Sequence, residues 1–234
     1  MNKVLVVMGA TVLAGCAGLP PELAGVLESA GAPALAEHEI AAGLKEALAV
    51  GTERAVARVG VRDGFWLNRD VNIPLPESLR KVEKTLRTFG QGRHVDEFHL
   101  SLNRAAEAAA PEAAAIFGDA IRTMTLADAR KILDGPNDAA TAYFRGRTHG
   151  ALALRFRPIV AKATAGVGAT RKYKELSAKV AKVMPGYELQ DIDAYVTDKA
   201  LAGLFRTLAV EELKIRRDPA ARSTELLKKV FGPR

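Results

Sequence analysis

At 234 residues, 48% apolar and 26% charged, the chain is long enough for one sizeable core and too apolar for wholesale disorder. Its net charge is +7, but Lys and Arg alternate with Glu and Asp in stretches such as LKEALAVGTERAVAR and EELKIRRD. That is the pattern of a solvated helix face and not of a nucleic-acid-binding stripe, so no nucleic-acid partner is expected.

The apolar content is rich in alanine and only 6% of the residues are aromatic, a composition that favours close-packed helices. Asn2 and Lys3 precede an apolar run from Val4 to Val12, followed by small residues and then GLPPE. The run is well short of the roughly 20 residues that a membrane-spanning helix needs and has the layout of a cleaved secretory signal. Leu13-Ala14-Gly15-Cys16 resembles the bacterial lipobox, in which the thiol carries diacylglycerol and cleavage occurs just before the cysteine. Residues 1–15 are therefore expected to be a lipoprotein signal peptide and Cys16 the lipidation site. Ala17, in place of aspartate, favours the outer membrane, facing the periplasm. Two or three acyl chains make such anchoring effectively permanent.

Residues 16–37, rich in Gly, Pro and Ala, read as a flexible tether, and residues 38–234 as the folded domain. Ile40, Leu44, Leu48, Ala55 and Val59 repeat at helical spacing up to Gly60. GVRDGFWLNRDVNIPLPE reads as a long loop or short hairpin. Pro76 opens a helix with a stripe of Leu79, Val82, Leu86 and Phe89, stopped by GQG. VDEFHLSLNRAAEAAA is the next helix, and Pro111 is expected at the start of another. Thr125 and Asp128 have capping-box spacing. Asn137 or Asp138 is expected to cap a long helix with Phe144, Ala151, Leu152, Ile159, Val160 and Ala163 on one face and a kink at Pro158. GATRKYKELSAKVAKVM is a more polar helix. Leu201, Leu204, Phe205, Leu208 and Ile215 mark the last long one, and RSTELLKKVFG closes the chain. The fold class is all-α: a single bundle-like domain of about eight helices.

The sequence has no phosphate-binding loop, nucleophile elbow, HExxH or CxxC motif. His38, His94, His99 and His149 lack metal-ligand spacing, so neither a metal nor a cofactor is expected, and no catalytic residue can be named. Three polar clusters stand out. Asp96, His99, Asn103 and Glu107 share one helical stripe, which reads either as a solvated face or as Asn103, Arg104 and Glu107 facing a cleft. Tyr143 and Arg147 lie in TAYFRGRT, and Asp193, Tyr195 and Lys199 in DAYVTDKAL. These eight residues form the candidate ligand-binding or structural cluster. In the ligand reading Arg104 and Arg147 would clamp an anionic group, while the structural reading makes them buried pairs that fix the helices.

The words LKEALAVGTERAV, IPLPESLRKVEKTLRTFG, LNRAAEAAAPEAAAIFGDAI, DAATAYFRGRT, YVTDKALAGLF and RRDPAARSTELLKKVFG, read in order, resemble the bacterial envelope proteins catalogued as domain of unknown function 4197. The resemblance runs from about Ala41 to Gly232 and implies an α-helical envelope lipoprotein. It supplies no activity, but it draws attention to Asn103, Arg104, Glu107, Tyr143, Tyr195 and Arg222. The expected function is non-catalytic binding or scaffolding at the membrane, with an envelope protein or a small ligand as partner. The alternatives are a carrier of a small apolar or lipid-like ligand and a hydrolase with an Asp/Glu/Arg site.

Overall fold

The computed structural model describes residues 37–168, 170–175 and 190–218. Cys16, the tether, Arg222 and the closing RSTELLKKVFG lie outside them, as does the later part of the GATRKYKELSAKVAKVM helix. Among the described residues the α-helices with assigned bounds are α1 Glu37–Val59, α2 Arg80–Thr88, α3 Gly92–Ala109, α4 Ala113–Arg122, α5 Leu126–Leu133, α6 Ala139–Ala165 and α7 Ile192–Arg217. Residues 170–175 are also helical. No strand occurs among the described residues, and the segment after Gly60 is a series of turns rather than a hairpin. The protein is all-α, and Glu37–Arg234 form a compact unit of their own.

The long helices α6 and α7 pack along each other, with α1 against α7 and α3 against α6. Phe117 of α4 sits between Phe144 of α6, with ring centres 5.1 Å apart, and Phe205 of α7 at 6.1 Å. All three rings are buried, as are Leu44, Leu102, Leu152, Leu201 and Leu204. Each side chain of this size withdrawn from water contributes roughly 1.5–3 kcal/mol. Alanine is the spacer: Ala55, Ala105, Ala106, Ala109, Ala110 and Ala113 are completely buried, so helices approach with no side chain between them. At Gly203 the approach is closer still, since a Cβ there would lie 2.7 Å from the Phe65 ring.

The helix ends follow from local chemistry. Thr125 and Asp128 form the expected capping box at α5. Gly90, at φ +73°, ends α2: Gln91 donates to the Leu86 carbonyl and Gly90 to that of Arg87, the double bond of a Schellman turn. Asp191 caps α7 by accepting the Asp193 and Ala194 N–H groups. Pro76 precedes a single 3₁₀ turn, Glu77–Leu79, that leads into α2. Pro111 sits inside another such turn, Ala110–Glu112, so the α-helix after it begins at Ala113 and not at the proline. The missing proline N–H is harmless there.

Two further sequence expectations need correcting. Ala151 is exposed, and Phe156 takes the buried position on α6 instead. Asp138 precedes α6 but its side chain makes no capping bond. Of the stripe around α2, Leu79 on the preceding turn packs against the core, while α2 itself has no buried residue; Val82 is 51% exposed and Phe89, just after the helix, 76%.

Candidate functional site

On α3, Val95, Phe98, Leu102, Ala105 and Ala109 are buried as their spacing predicts. The later part of the polar stripe beside them is not a solvated face, since Asn103 is fully buried and Glu107 nearly so, whereas Asp96 at its start is exposed. The turns after Gly60 lie over it and present backbone groups that need partners. Asn103 accepts the Ile73 N–H at 2.8 Å and donates to the Ile73 carbonyl at 3.0 Å. His99 Nε2 lies 2.9 Å from the same carbonyl, which can only accept, so that nitrogen carries the proton. One oxygen of Glu107 accepts the N–H groups of Phe65 and Trp66, both at 3.0 Å. Its other oxygen takes Arg104 at 2.6 Å, and Arg104 also reaches Asp63 at 2.7 Å. Hydrogen bonding to Glu107, and then to Asp63, raises the Arg104 guanidinium above its ordinary value against the opposing effect of burial. Asp63 is a non-glycine residue at φ +68°, held there by this pair.

The α7 residues continue the same work. The Tyr195 hydroxyl donates to the Pro74 carbonyl at 3.0 Å, next to the peptide held by Asn103, and Lys199 lies 5.7 Å from the Tyr195 ring. Burial, and then Glu77, pushes the Tyr195 phenol up, which keeps it a donor. Asp193 accepts Thr164 Oγ1 at 2.8 Å and Lys174 Nζ at 2.7 Å, tying residues 170–175 to the end of α6. Tyr143 and Arg147 stand apart on α6. Arg147 is exposed, 5.9 Å from the Tyr143 ring, and Tyr143 faces the Ala120 carbonyl at 3.4 Å. No bond among the described residues links this pair to the other two clusters. Asn103, Glu107 and Tyr195 are thus brought together on the 65–74 segment, while Arg104 and Arg147 share no ligand.

Chemically, these groups are already engaged. Both oxygens of Glu107 and both of Asp193 carry hydrogen bonds from the protein's own chain. No buried side-chain nitrogen or oxygen among the described residues lacks a partner. No group of three His, Cys, Asp or Glu among them is placed to hold a metal ion. No helix among them is long and apolar enough to cross a membrane.

The concavity that does have ligand-like walls is elsewhere. Leu75, Leu79, Val82 and Leu86 form one side of a groove of about 500 Å³, with Val95, Phe98 and Tyr173 forming the other. Tyr173 packs on Phe98 with ring centres 5.7 Å apart, and its hydroxyl donates to the Gln190 carbonyl. This is where the exposed apolar stripe of α2 points. Clefts for small ligands commonly measure roughly 300–1,000 Å³ and are mostly apolar. The concave surface around Tyr195 and Lys199, by contrast, is an open face of α7 and the residues just before it.

A family model described as "Protein of unknown function (DUF4197)" matches residues 34–232. The chain belongs to the DUF4197 family. No curated protein and no solved structure matches it. In this DUF4197 domain the sequence reading missed two features. Glu212 of α7 is nearly buried and supplies the cap that Asp138 does not, accepting the N–H groups of Ala140 and Thr141. The only signal was a glutamate on the apolar side of a helix, next to Leu208 and Ile215. The groove was missed because the α2 stripe reads the same whether it meets a core or an opening.

Proposed function

We propose that this DUF4197 protein is a non-catalytic binding module of the bacterial envelope, anchored through Cys16, that takes an apolar chain in the groove between α2 and α3. The single observation that carries the reading is that Val82 and Leu86, on a helix without one buried residue, line with Leu79 of the preceding turn a groove shared with Val95, Phe98 and Tyr173. Apolar side chains kept against an opening cost solubility and are retained where something covers them. Glu107, nearly buried beneath the turns with three donors on its carboxylate, supports binding over hydrolysis, because a general base must reach the proton it abstracts.

The test is titration of the chain from Ala17 onward with the neutral fluorophore N-phenyl-1-naphthylamine. Val82→Arg, on an exposed position of a helix, should leave the far-ultraviolet dichroism unchanged and remove most of the fluorescence gain. Equal binding by both proteins contradicts the groove. The anchor is tested separately by growing a diderm host on labelled fatty acid. Label is expected in the wild-type chain and none in Cys16→Ser; a labelled Cys16→Ser contradicts the anchor.

A further inference from the structure

The groove's walls are apolar, but its rim is charged, and the charges are not equivalent. Glu83 and Glu97 border it and both have cationic partners on their own helices: Glu83 pairs with Arg87 at 3.1 Å and Glu97 with Arg93 at 2.8 Å. Hydrogen bonding to Arg93 holds the Glu97 carboxyl below its ordinary value. Arg171 and Lys172 also line the groove, and both are exposed. Their side chains make no hydrogen bond or ion pair among the described residues, although Lys174 on the same turn is fully engaged with Asp193 and Thr164. Arg87 also bridges to Asp96 at 2.7 Å, so each carboxylate at the rim has a cationic partner, whereas the cations Arg171 and Lys172 have no anionic partner among the described residues.

We infer that the groove binds a single-chain amphiphile with an anionic head, its tail along Leu79, Val82, Leu86 and Phe98 and its carboxylate or phosphate at Arg171 and Lys172. This rests on the binding reading above and adds the class of ligand. The guanidinium offers two parallel N–H groups to such a head, and the ammonium of Lys172 adds a point charge beside it. Tyr173 follows directly and packs on Phe98 at the tail side of the groove, so head and tail sites are adjacent residues on one short helical stretch. A zwitterionic or neutral head would gain little there, and a second hydrocarbon chain would have to share a groove of about 500 Å³.

The experiment compares dansylaminoundecanoic acid with its methyl ester, on the chain from Ala17 onward and on an Arg171→Gln/Lys172→Gln variant. The acid should bind the wild-type chain about tenfold more tightly than the ester, as expected for two partly exposed charge-assisted contacts. The variant should lose that preference while holding the ester as before and melting at the same temperature. Equal binding of acid and ester by the wild-type chain overturns the anionic-head assignment and leaves the groove standing. Binding of neither, with N-phenyl-1-naphthylamine also silent, overturns the groove reading itself. A probe-excluding dimer in light scattering would assign the groove to a second copy and overturn the inference. Displacement of the acid probe by dodecanoate or by lysophosphatidate supports it, and the tighter competitor names the head as carboxylate or phosphate.

Discussion

Glu212 and Arg216, one turn apart on α7, hold the ends of two other helices. Glu212 accepts the Ala140 and Thr141 N–H groups, both at 2.9 Å, and the Thr141 hydroxyl at 2.8 Å, at the start of α6. Arg216 pairs with Glu212 at 3.0 Å and donates to the Ile132 carbonyl at 2.7 Å, at the end of α5. A negative group at a helix N-terminus and a positive one at a C-terminus both complement the helix dipoles. Glu212→Ala would leave two buried N–H groups without their acceptor and take the carboxylate partner from Arg216, which keeps the Ile132 carbonyl. The expected loss is about 3–5 kcal/mol in urea unfolding. A Glu212→Leu/Arg216→Leu double variant should lose less than the sum of the single changes. Additive losses would contradict the pairing.

The Phe65 ring approaches α7 closely at Gly203, where there is no side chain to meet it. Gly203→Ala would put a Cβ 2.7 Å from Phe65 Cε1 and 3.1 Å from Val71 Cβ. The expected cost is about 1–3 kcal/mol, since neither neighbour has room to move in a packed core. Phe65→Leu in the Gly203→Ala background should recover part of it. No recovery in the double-mutant cycle would mean that the clash is elsewhere.

Arg104 and Arg147 separate in the same assay. Arg104→Met removes the partner of nearly buried Glu107 and of Asp63 and should cost about 1–3 kcal/mol. Arg147→Met removes only an exposed contact to Tyr143 and should change stability by less than about 0.5 kcal/mol. Equal losses would show that Arg147 carries a role its surroundings do not explain.

The capping box makes α5 sensitive to acid. Hydrogen bonds from the Thr125 side chain, then from its backbone, hold the Asp128 carboxyl below its ordinary value. A carboxyl depressed in the folded state adds stability above its unfolded pKa and loses it as pH falls through the folded one. Thr125→Val should therefore lower the melting temperature at pH 7, and the gap to wild type should narrow as the pH falls below about 4. A gap independent of pH would contradict the assignment.

Much of this architecture is legible from periodicity. Leu44, Leu48 and Val59 on α1, and Leu201, Leu204 and Leu208 on α7, are buried as their spacing requires. Local chemistry was legible too, as Thr125 and Asp128 show, because both partners lie within one turn. What spacing does not contain is the identity of the neighbour. The Asn103 and Glu107 stripe has the spacing of a wet face, yet the turns from Asp63 to Pro74 cover it and need those side chains. The partners of Glu212 lie 72 and 71 residues away, beyond any local pattern. Leu79, Val82 and Leu86 form a correct amphipathic stripe, but whether it faces core or groove depends on where residues 170–175 pack. For the site, the sequence named the polar residues that hold the 65–74 segment and passed over the apolar ones that form the groove.

The most direct test of the groove is native mass spectrometry of the protein purified from its host cells and delipidated only by gentle detergent exchange. The account predicts a fraction of wild-type molecules heavier by one single-chain anionic amphiphile. In Val82→Arg, purified in parallel, that added mass should be absent. Wild-type protein that carries no such mass, or Val82→Arg protein that carries it equally, would contradict the account.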